Sequence, residues 1–324
     1  SCGSGIFLVE VYRRIVCRWM HTKGVSQITN EQLTAILKEC IYGVDLNEEA
    51  VRVASFSLSL ALCDFLDPRS IWNELSFPKL VNENLIVSDF FDNALDSRLT
   101  KYDIVIGNPP WQSQLTNKAN NYLKENKYIV GDKQIAQAFP IKCASICKET
   151  GVVCLLMPSK GLLFNRSPKS RAYRRRFFDE NTVSVIINFS IYRKVLFDNA
   201  TAPCTAIIYY PKKIDGNNTT IFYCTPKPQY SLQDTKKFSI DPTDICRIPS
   251  DLVCDDRIWK IAMWGSPRDL ELIDRLQSTY PSLDQFLLNH NMKSAEGFKR
   301  GNRKLIYDGF ANLPIVDAKD FYRF

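Results

Sequence analysis

The sequence predicts an α/β fold built on a parallel, doubly wound sheet with helices on both faces. The first observation is that short apolar segments typical of strands alternate with segments of helical periodicity. The second is that three apolar segments run directly into Asp45, Asp89 and Asn108. Ligands bind outside the carboxyl ends of the strands in such sheets, so we expect these three side chains at one shared site.

Helices are predicted where apolar residues recur every three or four positions. The first covers residues 7–19, and another follows Asn47, a good N-cap residue with Glu48 and Glu49 in its first turn. Further helices are predicted at Glu31–Glu39, Gln134–Lys148, Lys169–Asp179 and Pro267–Ser278. Four arginines are expected on the charged outer face of the third of these helices: Arg171, Arg174, Arg175 and Arg176.

Strands are predicted at Cys40–Leu46, Asn84–Phe91, Tyr102–Gly107, Gly151–Pro158, Val183–Ser190 and Cys204–Pro211. The polar segment Gln112–Lys133 predicts a mobile loop. After Lys212 the pattern changes, because Pro, Asp and Ser become frequent. We therefore predict one domain over residues 1–211 and a second region over residues 212–324, with the boundary between Lys212 and Ile248.

The composition narrows the chemistry that is expected. Only His21 and His290 are present, which disfavours histidine triads and His-rich metal sites. The 11 cysteines include no C-x-x-C pair, a pattern that predicts reduced, buried thiols of a cytosolic protein without a metal. The net charge of +7 is compatible with a polyanionic partner, and no apolar run reaches the ~18 residues that a membrane span needs.

The stretch NPPW, Asn108–Trp111, directly follows the third predicted strand. Its prolines fix φ and lack N–H groups, so they end the strand and hold the Asn108 side chain in one orientation. The Asn108 amide oxygen and the Pro109 carbonyl can accept hydrogen bonds from an amine, while Trp111 offers a ring face to a planar base. Two acceptors that pull on the N–H bonds of a ring amine would free its lone pair for attack. The alternative is a structural strand stop with a packed Trp.

Three other strand-end features point to a nucleotide-like ligand. The Gly-rich turn CGSG, Cys2–Gly5, allows a ligand to approach the backbone and the N-terminus of a helix, although such turns are also structural. Asp45 can accept hydrogen bonds from two ribose hydroxyls, or it can cap the helix at Asn47. Asp89 can accept from a purine amine, or it is a solvated loop acid. The glycine fingerprint of dehydrogenases is incomplete, because Leu8 replaces its third glycine.

At these motifs the chain resembles the γ-class N6-adenine-specific DNA methyltransferases of the NPPW type. In particular, it is similar to the methyltransferase region of type IIG restriction–modification enzymes. The stretches that carry the resemblance are SCGSGIFLVE, YGVDLNEEAV, VSDFF and DIVIGNPPWQ. It implies a Rossmann-like class I fold, S-adenosyl-L-methionine (AdoMet) as methyl donor, double-stranded DNA with a flipped adenine as substrate, and a possible fused or associated nuclease or specificity region.

The resemblance also implies roles for individual residues. Those expected to bind AdoMet are Cys2, Gly3, Gly5, Asp45, Leu46, Asp89 and Phe90. Those expected to act on the target amine are Asn108, Pro109, Pro110 and Trp111. In the stretch VLFDNATAP, Phe197 would sandwich the flipped base against Trp111, unless it is a core residue.

Residues 212–324 are interpreted as a linker and the beginning of a target-recognition region. The stretch Glu296–Phe310 is basic and punctuated by glycines. Five cations here can neutralise phosphates, although a solvated face is the alternative: Lys293, Lys299, Arg300, Arg303 and Lys304. Other substrates of the NPP-aromatic turn remain alternatives, namely N4 of cytosine, RNA and protein glutamine, as does a non-catalytic DNA-binding fragment.

Two departures from the family pattern affect the expected activity. The Asp-Pro-x that usually ends a strand before the CGSG turn is missing, and His21–Lys38 looks like an insertion before Asp45. We therefore expect a fragment cut within a domain, without the first strand of its sheet. The prediction is that this chain alone binds AdoMet poorly, which isothermal titration calorimetry can measure. Tight binding would contradict it.

Overall fold

The computed structural model describes residues 2–74, 76–99, 101–197, 202–213, 220–227 and 240–292. The chain divides into two compact units, Ser1–Leu270 and Glu271–Phe324. The helices are α1 Ile6–Lys23, α2 Asn30–Cys40, α3 Glu48–Cys63, α4 Pro68–Glu74, α5 Asn117–Glu125, α6 Phe139–Ile146, α7 Pro168–Glu180, α8 Arg193–Leu196, α9 Ile258–Trp264, α10 Pro267–Thr279 and α11 Leu283–Asn289. The strands are β1 Gly43–Asp45, β2 Leu85–Val87, β3 Tyr102–Gly107, β4 Cys147–Pro158, β5 Thr182–Asn188, β6 Cys204–Tyr210, β7 Thr220–Cys224 and β8 Ile245–Pro249.

The strands form two sheets. β1 and β2 pair in parallel, with Val44 opposite Ile86. The other six strands form one sheet in the order β3-β4-β6-β5-β7-β8. In this sheet β3, β4, β5 and β7 run in one direction, and β6 and β8 run in the other. The predicted α/β class with a mostly parallel sheet is confirmed.

β6 departs from the predicted parallel arrangement of the sheet. This strand lies between β4 and β5 and is antiparallel to both. In the described residues, the connection from β5 to β6 carries the 3₁₀ turn Ser190–Tyr192 and the single turn α8, and no crossover helix of normal length. An antiparallel neighbour needs no long crossover, so a short connection suffices.

Two segments differ from the sequence prediction in their local structure. The middle of the predicted loop Gln112–Lys133 forms α5, whose N-cap Thr116 accepts a hydrogen bond from the Ala119 amide. Tyr122 and Leu123 of this helix are buried. The predicted helix Gln134–Lys148 is shorter than expected, because α6 ends at Ile146 and β4 begins at the next residue.

The six-stranded sheet continues beyond the predicted domain boundary. β7 pairs with β5, and β8 pairs with β7. Trp259 of α9 is fully buried against this part of the sheet, where its carbonyl accepts from the Tyr223 hydroxyl at 3.1 Å and its indole stacks on Phe178. The assignment of residues 212–324 to a target-recognition region stays a prediction.

Each sheet has its own hydrophobic core. The small sheet packs with α1, α2 and α3, through buried residues such as Tyr12, Leu33 and Leu58. The large sheet is covered by the core that includes Phe139, Phe177 and Trp259. Within the described ranges, none of the helices combines the length and the apolar character that crossing a bilayer requires.

A groove of about 480 Å³ lies between β1 of the small sheet and β3 of the large sheet. Tyr42–Val44 line one side and Tyr102–Gly107 line the other, with apolar side chains of α1 and α6 also contributing. In the described part of the chain, β1 pairs only with β2 and β3 pairs only with β4. The exposed fraction of Ile104, in the middle of β3, is therefore 57%.

The open edge of β3 predicts uneven hydrogen exchange. In a parallel pair, alternate amides of β3 point toward β4, and the others point away from it, into the groove. We expect the amides that face the groove to exchange at least tenfold faster than those of β6, which is paired on both sides. Hydrogen exchange followed by NMR measures both sets. Equal protection along β3 would show that its edge is covered in solution.

Candidate functional site

The Gly-rich turn at the start of the chain lies against α3. Gly3 and Gly5 both have positive φ, at 53° and 84°. A Cβ atom built on Gly3 has no heavy atom within 4 Å, whereas one built on Gly5 lies 2.9 Å from the Cα of Ala54. Gly5 therefore permits close packing of the turn on a helix, and Gly3 leaves open space above the backbone.

Asp45 ties this turn to β1. Its Oδ2 accepts from the Gly3 amide at 2.9 Å, and its Oδ1 accepts from the Asn47 amide at 3.0 Å. Asn47 is the N-cap of α3, as predicted. Only 8% of Asp45 is exposed. The Asp45 carbonyl also accepts from the Ser88 amide at 2.8 Å, which brings the segment before Asp89 beside it.

Cys2 lies at the end of the groove. Its amide donates to the Val44 carbonyl at 3.0 Å. Burial, reinforced by the negative charge of Asp45, raises the pKa of the Cys2 thiol to about 11. At neutral pH Cys2 is therefore a protonated thiol and a poor nucleophile, since reactivity requires the thiolate.

Three further predicted AdoMet-binding residues lie near the same edge. Leu46 follows β1 and is 67% exposed. Asp89 is half-buried, and its Oδ1 accepts from the Phe91 amide at 2.9 Å. Phe90 lines the groove and stacks on Phe139, with ring centroids 5.2 Å apart and planes inclined by 7°. The Phe90 ring thus provides a flat apolar surface next to Asp89.

The side-chain oxygen of Asn108 lacks the hydrogen bond that other Asn and Asp residues at turns of this chain accept. An Asn or Asp at a turn commonly accepts from the amide two residues later. Asp89 does so with Phe91, and Asn165 does so with Ser167. At Asn108 that amide is missing, because the two following residues are prolines. The Asn108 Oδ1 atom is buried without a hydrogen-bond partner in the described structure.

The rings of Trp111 and Phe197 are brought together. Their centroids are 5.1 Å apart, and their planes meet at 67° in an edge-to-face contact. A base held between two rings requires a separation of roughly 7–8 Å, twice the usual carbon–carbon contact. The expected sandwich is therefore not formed in this structure, and the two rings must separate by about 2–3 Å to accept a base.

The groove contacts part of the predicted site. Its lining includes three of the predicted site residues, Cys2, Phe90 and Pro109, and all four motifs contribute to it, since Tyr42–Val44 also line it. Asp45, Asn108 and Trp111 are not part of the lining. A ligand that fills the groove can thus contact Cys2 of the turn and the Phe90 ring directly, while the Asn108 oxygen is buried outside the lining.

The residues present fit a nucleoside-like cofactor such as AdoMet in three respects. Gly3 leaves space for close approach to the backbone. Asp45 is a carboxylate whose two oxygens each accept only one hydrogen bond from the described residues, so lone pairs remain for hydroxyl donors. Phe90 offers a ring beside Asp89. No cluster of three or more His, Cys, Asp or Glu side chains in the described residues could hold a metal ion.

Sequence reasoning missed two residues of this edge, Gln134 and Ser159. Ser159 follows β4 directly and is fully buried, and both side chains carry an oxygen atom without a partner. The rule that selected Asp45, Asp89 and Asn108, a polar residue after a strand, would also have selected Ser159.

The prediction that Arg174 lies on the charged outer face of α7 was wrong. This guanidinium is fully buried, where Nε donates to the Leu162 carbonyl at 2.8 Å and Nη2 donates to the Asn165 carbonyl at 2.9 Å. Burial lowers the pKa of Arg174. Its function is to fix the segment after β4. The basic residues predicted to contact phosphate, from Lys293 to Lys304, lie outside the described residues.

Comparison with known proteins gives a consistent result. Residues 39–196 match the sequence model of the Eco57I restriction-modification methylase family. The type II restriction enzyme and methyltransferase RM.Eco57I of Escherichia coli is 25% identical over 273 residues, covering 74% of this chain and 26% of that protein. The type II methyltransferase M.BstVI of Geobacillus stearothermophilus is 23% identical, covering 94% of this chain and 53% of that protein. The chain thus spans about a quarter and about half of these two curated relatives.

Solved structures share the fold. The M protein of the type I restriction enzyme EcoKI superposes with a TM-score of 0.51 at 15% identity, over 73% of this chain and 46% of that one. A nuclease-deletion mutant of the type ISP enzyme LlaGI gives 0.52 at 14% identity, over 68% of this chain and 21% of that one. The resemblance to restriction–modification methyltransferases is confirmed.

The two glycines of the turn provide a matched pair of substitutions. Gly3→Ala should cost about 1 kcal/mol of unfolding free energy, for a side chain at positive φ in open space. Gly5→Ala should cost a further 1–3 kcal/mol, because its methyl group meets the backbone of Ala54. Urea unfolding of both variants measures the difference. Equal losses would contradict the packing of Gly5 on α3.

Proposed function

We propose that this chain, whose residues 39–196 match restriction–modification methylases, is a methyltransferase region that methylates an exocyclic amine of a DNA base, N6 of adenine. The observation that carries the proposal is the buried Asn108 oxygen, which two prolines leave without a donor from the chain. An acceptor kept free in this way is suited to an amine that arrives with the substrate.

The reaction requires the amine to become a nucleophile. The lone pair of a ring amine is delocalised, so the nitrogen attacks poorly until it becomes tetrahedral. Asn108 Oδ1 and the Pro109 carbonyl oxygen can each accept a hydrogen bond from one N–H group of the amine. These two hydrogen bonds favour the tetrahedral form of the nitrogen. The burial of this corner strengthens these hydrogen bonds relative to those in water. The positive charge that develops on nitrogen during attack is stabilised by the same two oxygens.

AdoMet would supply the sulfonium methyl group as electrophile. The nitrogen–carbon bond would form as the sulfur–carbon bond breaks, the neutral thioether S-adenosylhomocysteine would leave, and the cationic nitrogen would then lose a proton to solvent. The residues suited to hold AdoMet are Cys2, Gly3, Gly5, Asp45, Leu46, Asp89 and Phe90. The Gly turn admits it to the backbone, Asp45 accepts from hydroxyls, and Phe90 provides a flat surface. Because the donor is already activated, orientation by these residues accounts for most of the required catalysis.

Trp111 and Phe197 are proposed to hold the base. In this structure the two rings are in edge-to-face contact. When the rings separate, each can stack on one face of a flipped base.

DNA is the proposed substrate for two reasons. The net charge of the chain is +7, which favours a polyanion. The similar enzyme LlaGI was solved in complex with a DNA substrate mimic. N4 of cytosine is the alternative target, since it is also a ring amine. Mass spectrometry of nucleosides from treated DNA distinguishes N6-methyladenine from N4-methylcytosine.

Asn108→Ala should lower methyl transfer by at least a hundredfold, because one of the two acceptors for the amine is removed. AdoMet affinity should change less than threefold, since Asn108 is not among the residues that hold it. Radiolabel transfer to DNA and calorimetry with AdoMet measure the two quantities in the protein that contains this chain, since the chain alone is expected to bind AdoMet poorly. The control is Asn126→Ala, an exposed asparagine of a helix end far from the corner in sequence. Retained transfer in Asn108→Ala would refute the assignment.

A further inference from the structure

Four buried polar atoms without a hydrogen-bond partner lie on segments around the NPPW corner. They are Asn108 Oδ1, Trp111 Nε1, Gln134 Oε1 and Ser159 Oγ. Buried polar atoms are nearly always paired in folded proteins, so a group of unpaired ones points to a missing partner. Ser159 is the most deeply buried of the four residues, with no exposed surface.

The segments that carry these atoms contact one another in series. The Ile135 amide donates to the Gln112 carbonyl at 3.2 Å, which places Gln134 beside the residue after Trp111. The Gln134 Oε1 atom lies against Gly161, two residues after Ser159.

Ser159 also contacts the connection that carries Phe197. Its amide donates to the Pro203 carbonyl at 2.8 Å. Pro203 belongs to the connection that contains Phe197, whose ring contacts Trp111. Ser159 directly follows β4, the strand that pairs with β3, since Gly107 lies opposite Leu155. Ser159 and Asn108 thus follow the carboxyl ends of two neighbouring parallel strands, and the Ser159 amide is bonded to the connection that carries Phe197.

We propose that Ser159 is a specificity-determining residue whose hydroxyl donates a hydrogen bond to the ring nitrogen next to the amine of the bound base. This inference rests on the proposed function. The Asn108 oxygen can only accept, so it suits the amine. A serine hydroxyl rotates and can donate, so it suits an unprotonated ring nitrogen. The indole N–H of Trp111 lies in its ring plane and does not face a base stacked on that ring.

This donor and acceptor pair selects among bases. Adenine and cytosine present an amine next to an unprotonated ring nitrogen, which matches Asn108 and Ser159. Guanine and thymine present a carbonyl next to a ring N–H, which places their oxygen against the Asn108 oxygen. A site built to bond both groups rejects a base that leaves them unpaired.

The test combines removal of the Ser159 hydroxyl from the protein with removal of one ring nitrogen from the base. The probes are the single strand d(TTATT) and two analogues in which the adenine is 1-deazaadenine, which lacks the ring nitrogen beside the amine, or 7-deazaadenine, which keeps it. For the unmodified protein, calorimetry should show about tenfold weaker binding of the 1-deaza strand, the loss of about one hydrogen bond, and little change for the 7-deaza strand. Ser159→Ala should bind d(TTATT) about tenfold more weakly and show no further loss with the 1-deaza strand.

The folding control is Ser170→Ala. Ser170 is as buried as Ser159, but its hydroxyl is paired with that of Ser167 at 3.1 Å. Ser170→Ala should lower the melting temperature and leave the affinities unchanged, whereas Ser159→Ala should not lower the melting temperature. If Ser159→Ala and the 1-deaza base weaken binding independently, so that the two losses of affinity add, the assignment of Ser159 is overturned while the proposed function stands. If the unmodified protein binds d(TTATT) no more tightly than d(TTTTT), the proposed adenine function fails, and the role of Ser159 with it.

Discussion

The candidate site depends on a local constraint of backbone chemistry at Asn108. Turn residues of this type normally satisfy their side-chain oxygen with the next available amide, as Asp89 and Asn165 do here. The two prolines after Asn108 remove both of the nearest donors while fixing the direction of the chain. The result is a buried acceptor that the protein cannot satisfy by itself. Such an atom is costly to the folded state, so its presence is best explained by a ligand that supplies the donor.

The arrangement around this acceptor follows from the direction of the strands. β1, β2, β3 and β4 all present residues where a strand ends, and the hydrogen bonds of Asp45 to Gly3 and Asn47 connect the first turn to this edge. The same carboxylate therefore orders the turn and keeps lone pairs for a ligand. The groove between β1 and β3 links the Gly turn, Phe90 and Pro109 into one continuous surface. Under the proposed function, the same residues would both order the turn and bind the ligand.

The sequence predicted the features that depend on local pattern. Periodicity located α1 and α3, and the NPP stretch ended β3 at Gly107 as expected. The features that it missed depend on contacts between distant segments. β6 is inserted between β4 and β5, and Arg174 is turned inward to bond carbonyls that no periodicity reveals. Helix α5 was not predicted, because its segment is rich in Asn and Lys. Its buried positions Ala119, Tyr122 and Leu123 nevertheless have helical spacing.

If the prolines keep the Asn108 oxygen free, restoring one backbone amide at a time should change how readily that oxygen accepts the substrate amine. Pro110→Ala returns the donor two residues after Asn108, which can capture the oxygen, whereas Pro109→Ala returns a donor at a position that side chains of this type rarely use. Both variants lose one proline ring, so each controls for the rigidity lost in the other. The measurement is single-turnover methyl transfer to DNA. We expect Pro110→Ala to be at least tenfold slower than Pro109→Ala, whereas equal rates would show that the missing amide is not what keeps the Asn108 oxygen free.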